Sequence, residues 1–231
     1  MKKWILIMMI LCSFKVLGQS TTSGYCGPKD GNGNYGTNCE WNYDEDSKTL
    51  KIWGEGAMYN STQVHDFPWS KNSTFYNEIE NVVIENGITR IGVLSFHDAQ
   101  SLKNFTIPNS VNVIYSHAFT GTSLKSLVIP DGVNALDGNA ENNLFNKSLE
   151  TLYCSEKLKL KCQQQLSFAG IDATRVLKTY QKYGNEYYFD GKFYQSPNDI
   201  GTPNYIKKRI YTIDEANRIA GDKNRVSIKY R

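Results

Sequence analysis

The sequence predicts a β-rich α/β fold in which a short solenoid of stacked coils lies between an N-terminal β-hairpin cap and a small C-terminal α+β module. Three observations predict it: an apolar pattern recurs every 22 to 25 residues in the middle of the 231-residue chain, an alternating aromatic segment precedes it, and tyrosine-rich segments follow it. We expect a signal peptide over residues 1–18, a capping module with the β-hairpin over 19–78, the repeat solenoid with a closing helix over 79–170, and a hairpin plus a βαβ module over 171–231.

Residues 1–18 have the three parts of an export signal. Met1-Lys2-Lys3 is positively charged, Trp4 to Leu11 is apolar, and Val16-Leu17-Gly18 supplies the residues that a signal peptidase reads. We therefore expect cleavage after Gly18 and a protein that is secreted or held at the cell surface. Lipid attachment at Cys12 is the alternative, disfavoured because Leu11 is larger than the small residue that such sites need. Neither this stretch nor a later one has the roughly 20 apolar residues of a membrane span.

The charge balance argues against nucleic acid as a partner. The formal net charge is +3, and it falls to zero when the lysines of residues 1–18 are removed. A globally basic surface is the usual mark of nucleic-acid binding, and it is missing here. Tyr205 to Arg231 carries a local excess of five positive charges, which is either a basic surface or a solvated face.

The segment from Cys26 to Cys39, CGPKDGNGNYGTNC, resembles a metal or phosphate loop only superficially. A calcium loop needs glycine where Tyr35 stands and a bidentate glutamate where Trp41 stands. A phosphate-binding loop needs a Lys-Ser/Thr ending. Because cysteines of exported chains commonly pair, we predict a disulfide between Cys26 and Cys39, with no metal or other cofactor.

A β-hairpin is predicted directly after this loop. Trp41 and Tyr43 alternate with polar residues, Asp44 to Lys48 forms a polar turn, and Leu50 and Ile52 resume the alternation. The end coil of a solenoid would otherwise expose its core, so we expect the hairpin to cap the first coil.

The repeats have the length of leucine-rich repeats. Successive units begin at Ile79, Leu102, Leu124 and Leu149, which are 23, 22 and 25 residues apart. This period is too short for propeller blades or helical-pair arrays. Strands of an ordinary sandwich are the alternative, but a sandwich has no reason to repeat the same proline-containing turn and phenylalanine at fixed offsets. The further columns expected in the core are Val82, Phe105, Leu127 and Leu152; Ile84, Ile107 and Ile129; and the aromatic residues Phe96, Phe119 and Phe145.

The pattern L-x-x-hydrophobic-x-I-P-x-x-V-x-x-I-x-x-x-A-F, fullest in Leu102 to Phe119, resembles the BspA-like class of leucine-rich repeats, found on surface and secreted proteins of bacteria and some protists. Cys39 to Met58, followed by Pro68-Trp69, resembles the module that precedes such repeats. The first unit departs from the pattern, with Glu85 where proline is usual. The resemblance implies a ligand-binding or adhesive surface protein and supplies no catalytic residues.

A helix from Ser155 to Phe168 is predicted to close the far end of the core. Ser155 can cap it, Leu158, Cys162 and Leu166 share one face, and Gly170 ends it.

The pairing of Cys154 with Cys162 stays open. A straight helix between them would hold their Cα atoms about 10 Å apart, which is too far for a disulfide. Two buried free thiols are therefore the alternative to a bridge.

The C-terminal part is predicted to be a hairpin followed by a βαβ unit. Asn185 to Ser196 contains Asp190-Gly191 at the position of a tight turn. Its tyrosines are either stacking platforms for sugars or ordinary strand residues. Thr212 and Glu215 form a capping box before the final helix and strand.

Residues between the buried positions of each strand should point outward and form a ladder across the stacked coils. Such a ladder is the usual place for a solenoid to hold a partner, here an extracellular protein or a glycan. The alternative is that these are only solvated strand residues. The predicted ladder consists of Asn81, Val83, Asn104, Thr106, Ser126, Val128, Thr151 and Tyr153.

Catalysis and metal binding are not expected. A hydrolase would need a converging set of acid, base or nucleophile, and the candidates are scattered through the repeat loops. His97-Asp98 and His117 stand at different offsets from their phenylalanines, so we expect them not to meet in one site. The alternatives to a binding protein are a structural envelope component and, less favoured, an exported hydrolase that acts on glycans; the oligomeric state is not indicated by the sequence.

Overall fold

The computed structural model describes residues 22–71 and 74–202 of the chain. The predicted signal peptide and the final βαβ unit with its basic excess lie outside the described residues. Fourteen strands and two helices, numbered in chain order, occur in the described part, which is therefore β-rich with little helix. They are β1 Ser23–Gly27, β2 Gly36–Asp44, β3 Thr49–Gly54, β4 Gly56–Ala57, β5 Asn81–Ile84, β6 Ile88–Ile91, β7 Asn104–Thr106, β8 Val113–Tyr115, β9 Ser126–Ile129, β10 Ala135–Asp137, β11 Thr151–Ser155, α1 Lys159–Phe168, α2 Ala173–Val176, β12 Leu177–Tyr183, β13 Glu186–Phe189 and β14 Lys192–Tyr194.

The N-terminal hairpin is confirmed, and its second strand has an additional role. β2 and β3 pair antiparallel, with Trp41 opposite Ile52 and Asp44 opposite Thr49. β3 also pairs in parallel with β5, so that Ile52 lies opposite Ile84. The parallel pairing of strands therefore begins at β3, which precedes, in this sheet, the strand β5 of the first repeat found in the sequence.

A first parallel ladder runs along one side of the repeat region in two sections. β3, β5 and β7 are paired in that order, and β9, β11 and β12 form the second section. The buried columns are in register, since Val82 lies opposite Phe105 and Leu127 lies opposite Leu152. β12 extends this ladder beyond the predicted closing helix, and the division of the chain at residue 170 remains a prediction.

A second parallel ladder covers another side of the repeat region. It has the order β10-β8-β6-β4, with Ile91 opposite Ile114 and Ile114 opposite Leu136. β3, β5, β7 and β9 of the first ladder are each followed along the chain by a strand of the second, and the inward side chains of both ladders share one continuous core.

The predicted aromatic column is confirmed, and the N-terminal module extends it. Phe96, Phe119 and Phe145 stack with centroid separations of 6.3 and 6.5 Å, and the ring of Trp69 stacks on Phe96 at 5.5 Å. Trp69 Nε1 donates a hydrogen bond to the Ser95 carbonyl at 2.8 Å. The indole therefore covers the end of the column and satisfies its one polar group.

The closing helix begins later than predicted. Ser155 is still the last residue of β11, opposite Tyr180, and a 3₁₀ turn over Glu156–Leu158 precedes α1. The expected cap is therefore wrong: the Ser155 hydroxyl makes no capping bond and is buried without a hydrogen-bond partner in the described part of the chain. The expected apolar face is confirmed, since Cys162 and Leu166 are fully buried.

The hairpin of β13 and β14 is confirmed at its predicted turn. Phe189 lies opposite Lys192, and both Asp190 and Gly191 have positive φ, as a tight two-residue turn requires. The hairpin folds back over the first ladder. A buried cluster separate from the main core results, made of Val128, Tyr180, Tyr187, Tyr194 and Ile200.

Candidate binding surface

The first half of the outward ladder is open and has the predicted register. Asn81 lies opposite Asn104, and Val83 lies opposite Thr106. Asn104 Nδ2 donates a hydrogen bond to Asn81 Oδ1 at 2.8 Å, so the two amides form a short polar row. Asn104 is exposed and the other three side chains are half-buried.

The second half of the predicted ladder is partly covered. Ser126 lies opposite Thr151 and Val128 lies opposite Tyr153, as expected from the sequence. However, Val128 is buried in the tyrosine cluster and Tyr153 packs against it. The expectation that all eight residues form one accessible surface is therefore wrong, because the C-terminal hairpin folds over β9 and β11.

The two halves are separated by a gap between β7 and β9. Both strands are paired on their other side, but no ladder joins them to each other. The same two coils remain paired on their other side, where Val113 of β8 lies opposite Ala135 of β10. The coils therefore separate only at the first ladder, and the gap forms a depression of about 300 Å³ between Thr106 and Ser126.

A second depression of about 480 Å³ continues from the first, and Thr106 and Asn198 line both. One wall is formed by the ladder and the other by residues 196–202, which we call the C-terminal arm. The two depressions together are called the ladder groove. Its polar lining consists mostly of amide and hydroxyl side chains, which belong to Asn86, Asn104, Thr106, Asn109, Ser126, Tyr153, Ser196, Asn198 and Thr202.

The C-terminal arm is held on the ladder by specific contacts. Asn198 Nδ2 donates to the Ile107 carbonyl at 3.0 Å, and Ile200 is buried in the tyrosine cluster. Nearby, Asn109 Nδ2 donates to Tyr187 Oη at 2.7 Å and thereby joins a repeat turn to the hairpin. Gly201 lies so close to Tyr153 that a Cβ there would be 2.6 Å from the phenol oxygen.

The charged side chains of the groove are paired with neighbours outside it. Glu85 lies 2.6 Å from Lys51, and Lys103 lies 2.8 Å from Glu80. Because each charge is balanced by an adjacent one, the groove offers mainly neutral hydrogen-bonding groups.

The glycine-rich loop closed by Cys26 and Cys39 has a structural role. The two sulfurs are bonded, with Cα atoms 5.0 Å apart. The Asp30 carboxylate accepts hydrogen bonds from the backbone N–H groups of Asn32 and Asn34, both at 2.9 Å, which lower the pKa of Asp30. These carboxylate and amide groups hold the turn itself.

Two side chains of that loop dock on Asp66. Lys29 Nζ lies 2.8 Å from Asp66 Oδ2 and rests over the rings of Tyr35 and Tyr59, at 4.7 and 4.5 Å from their centroids. The Tyr35 hydroxyl donates to the Asp66 carbonyl. Burial raises the pKa of Tyr35 to about 12, so the phenol remains a donor at neutral pH.

The histidines are closer together than the sequence indicated. The rings of His97 and His117 lie 6.0 Å apart, and His97 Nδ1 is 3.2 Å from Asp98 Oδ2. The expectation that they do not meet is wrong because backbone hydrogen bonds join the two turns, with the Asp98 N–H donating to the Thr120 carbonyl at 2.9 Å. Burial lowers the pKa of His97. Within residues 22–71 and 74–202, however, no three His, Cys, Asp or Glu side chains are arranged to hold a metal ion.

Cys154 and Cys162 are free thiols in the structure, and both are fully buried. The hydrogen bond with Cys154 and burial raise the pKa of Cys162. Of the two alternatives left open by the sequence, the structure therefore has the buried thiols.

No helix in the described ranges has the length and apolar character needed to cross a bilayer.

Comparison with solved structures finds bacterial leucine-rich repeat proteins. A leucine-rich repeat protein from Eubacterium ventriosum ATCC 27560 is 20% identical, with 54% of this chain and 44% of that chain covered and a TM-score of 0.37. A leucine-rich cell surface protein from Faecalibacterium prausnitzii A2-165 is 15% identical, with 69% and 59% covered and a TM-score of 0.28. The T. pallidum leucine-rich repeat protein is 17% identical, with 49% and 67% covered and a TM-score of 0.27. The match spans about half the length of the first two structures.

Among curated proteins no sequence matches the chain. The family model described as "BspA type Leucine rich repeat region" matches residues 70–192, in six copies. That match covers more than half of the chain and includes β5 to β13. The protein belongs to the family of BspA-type leucine-rich repeat proteins.

Proposed function

We propose that this protein is a secreted or cell-surface binding protein that holds an extracellular protein or glycan in the ladder groove, without catalysis. Its repeats form a short solenoid, capped at one end by the hairpin of β2 and β3 and at the other by the C-terminal module. The domain boundaries proposed are those at residues 18, 78 and 170.

The observation that carries the proposal is the position of the groove. Asn104 and Thr106 of the outward row form one side of a concave surface, and the C-terminal arm forms the other. Concave sites with a few fixed polar groups are the usual form of ligand sites. Repeat proteins also use the outward residues of stacked strands to bind partners.

Two observations support export. Residues 1–18 have the composition of a signal peptide, and cleavage after Gly18 would release a chain that begins at Gln19. The disulfide between Cys26 and Cys39 fits an oxidising compartment, where such bonds persist.

The test is a binding survey with the chain from Gln19 to Arg231 against extracellular matrix proteins, cell surfaces and glycans. The variant Asn104→Asp with Thr106→Arg adds charge and bulk on the groove side and should abolish the binding found. The matched control is Asn112→Asp with Thr89→Arg, which makes the same replacements on the second ladder and should bind normally. Equal binding by both variants would place the partner elsewhere, and no binding to any probe would contradict a binding function.

A further inference from the structure

The ladder groove offers hydrogen-bonding groups that can both donate and accept. Amide side chains carry an acceptor oxygen and a donor nitrogen, and hydroxyls act in either sense. Asn86, Thr106 and Ser126 line the groove, and their side chains have no hydrogen-bond partner within the described part of the chain. These are the groups needed by a ligand whose own hydroxyls donate and accept at once.

Two further amide side chains are held in place by their donor nitrogen, while their acceptor oxygen stays available. Asn198 Nδ2 donates a hydrogen bond to the Ile107 carbonyl, and Asn109 Nδ2 donates one to Tyr187 Oη. Their Oδ1 atoms make no bond to the described residues, so each is an acceptor on a side chain that is already oriented. Orientation before binding reduces the entropy that a ligand must overcome.

The backbone contributes along the same gap. β7 and β9 do not pair with each other, so their N–H and C=O groups on the facing side have no ladder partner among the residues that the structure describes. Backbone polar groups in such a position require water or a ligand as a partner. The gap is lined by residues 103–106 and 126–128, directly beside the Thr106 and Ser126 hydroxyls.

The charge pattern favours a neutral ligand over a strongly charged one. Within the described ranges, Glu85 and Lys103 are the acidic and basic side chains that line the groove, and both are paired with neighbouring residues of opposite charge. A charged peptide or an anionic polysaccharide would have to compete for them, whereas a neutral ligand leaves both pairs intact. The volumes of about 480 and 300 Å³ fall in the range of about 300–1,000 Å³ typical of small-ligand sites.

From these observations we propose that the ladder groove takes a neutral, hydroxyl-rich oligosaccharide, bound by Asn86, Thr106, Ser126 and Asn198 together with the open backbone edges of β7 and β9. This inference rests on the proposed function, because it names the class of ligand for the same groove. Such a ligand is held by hydrogen bonds, and its binding is insensitive to salt because no charge pair forms on binding.

The experiment uses the chain from Gln19 to Arg231 on a panel of neutral oligosaccharides and of sialylated or uronate-containing ones, followed by calorimetric titration of the hits. We expect neutral oligosaccharides to bind, with an affinity that changes little between about 50 mM and about 500 mM salt, a range over which screening weakens contacts between exposed charges. Asn86→Ala with Thr106→Ala should weaken binding by about tenfold or more, because two hydrogen bonds are lost. Thr89→Ala with Asn112→Ala, outside the groove, should leave the affinity unchanged, and the thermal unfolding of both variants checks that they are folded.

The possible results distinguish a wrong ligand class from a wrong binding function. Salt-sensitive binding restricted to anionic glycans would overturn the proposal of a neutral ligand. A protein or peptide that binds wild type but not Asn104→Asp with Thr106→Arg, in the absence of any oligosaccharide hit, would keep the binding function and overturn the ligand class. An oligosaccharide that binds equally to Asn86→Ala with Thr106→Ala would overturn the assignment to the groove, and no binding of any kind would overturn both.

Discussion

The two ends of the repeat array are attached to it in different ways. At the N-terminal end, Trp69 continues the aromatic column of the core, and the loop from Cys26 to Cys39 is fixed by a disulfide and by Lys29 on Asp66. At the C-terminal end, the arm rests on the outer face through the tyrosine cluster and Asn198. The first end completes the core and the second builds a wall of the groove, so stability and binding should depend on different ends.

The largest loss of stability should come from the aromatic column. Phe96→Ala removes a fully buried ring that stacks between Trp69 and Phe119. We expect the free energy of unfolding to fall by about 3–5 kcal/mol, measured by urea denaturation. Tyr25→Ala, at a side chain that is 48% exposed, is the control and should change it by less than about 0.5 kcal/mol. A loss below about 1 kcal/mol for Phe96→Ala would show that the column is not part of the core.

The disulfide should have the next largest effect. Replacing Cys26 and Cys39 together by serine frees the N-terminal loop, and the free energy of unfolding should fall by about 3 kcal/mol, because the unfolded chain gains conformations. Reductant added to the wild type should produce a similar fall, since the described part of the chain contains a single bonded pair and two free thiols. Unchanged stability in the reduced wild type would argue against the bond.

The Asp66 contacts should have a smaller, pH-dependent effect. Burial opposes ionisation of Asp66, but hydrogen bonds from Lys29 and Lys71 outweigh it and hold the pKa below its ordinary value. The carboxylate therefore stabilises the fold above the unfolded-state pKa of about 3.9, and this contribution is lost as the pH falls through the lower folded-state pKa. Asp66→Asn should cost about 1–3 kcal/mol at pH 7.

The pH series provides the check on Asp66. The difference in stability between Asp66→Asn and wild type should shrink as the pH is lowered below about 4, because protonation removes the same charge from the wild type. Glu80→Gln, at an exposed ion pair with Lys103, is the control and should cost no more than about 1 kcal/mol. A constant difference between pH 7 and pH 3 would mean that the Asp66 charge contributes nothing.

The smallest effect on stability should come from the C-terminal arm. Asn198→Ala removes the bond to the Ile107 carbonyl and should lower the free energy of unfolding by about 1 kcal/mol or less. Amide hydrogen exchange should nevertheless rise at Ile200, whose N–H bonds the Pro197 carbonyl, because the arm can then open locally. Gln195→Ala, at an exposed position, should leave that exchange unchanged. Equal exchange in both variants would mean that Asn198 does not hold the arm.

The sequence was sufficient for the repeated parts of the fold. The register of Asn81 with Asn104 and of Val128 with Tyr153 followed from the period alone, because stacked parallel strands repeat their alternation in each coil. The pairing of β3 with β5 was missed although Leu50 and Ile52 match Val82 and Ile84. The intervening segment is longer than the 22 to 25 residues of the other repeats, so no regular period indicated it.

The groove itself could not be predicted from the sequence. Its wall depends on contacts such as that between Asn198 and Ile107, which are 91 residues apart, and on the face over which the hairpin folds. Alternation shows that Tyr180 and Tyr187 share a buried side but does not say what covers it. The gap between β7 and β9 likewise arises from the packing of whole coils, since both strands carry ordinary strand residues.

We propose that the partner lies between the ladder and the C-terminal arm. The most direct test of this position is an amide chemical-shift map of the chain from Gln19 to Arg231, titrated with the best neutral oligosaccharide of the panel. We predict that the largest changes occur at Asn86, Thr106, Ser126 and Asn198, with none at Asn112 on the second ladder. Changes centred on the turns around His97 and His117, with the groove unaffected, would contradict the account.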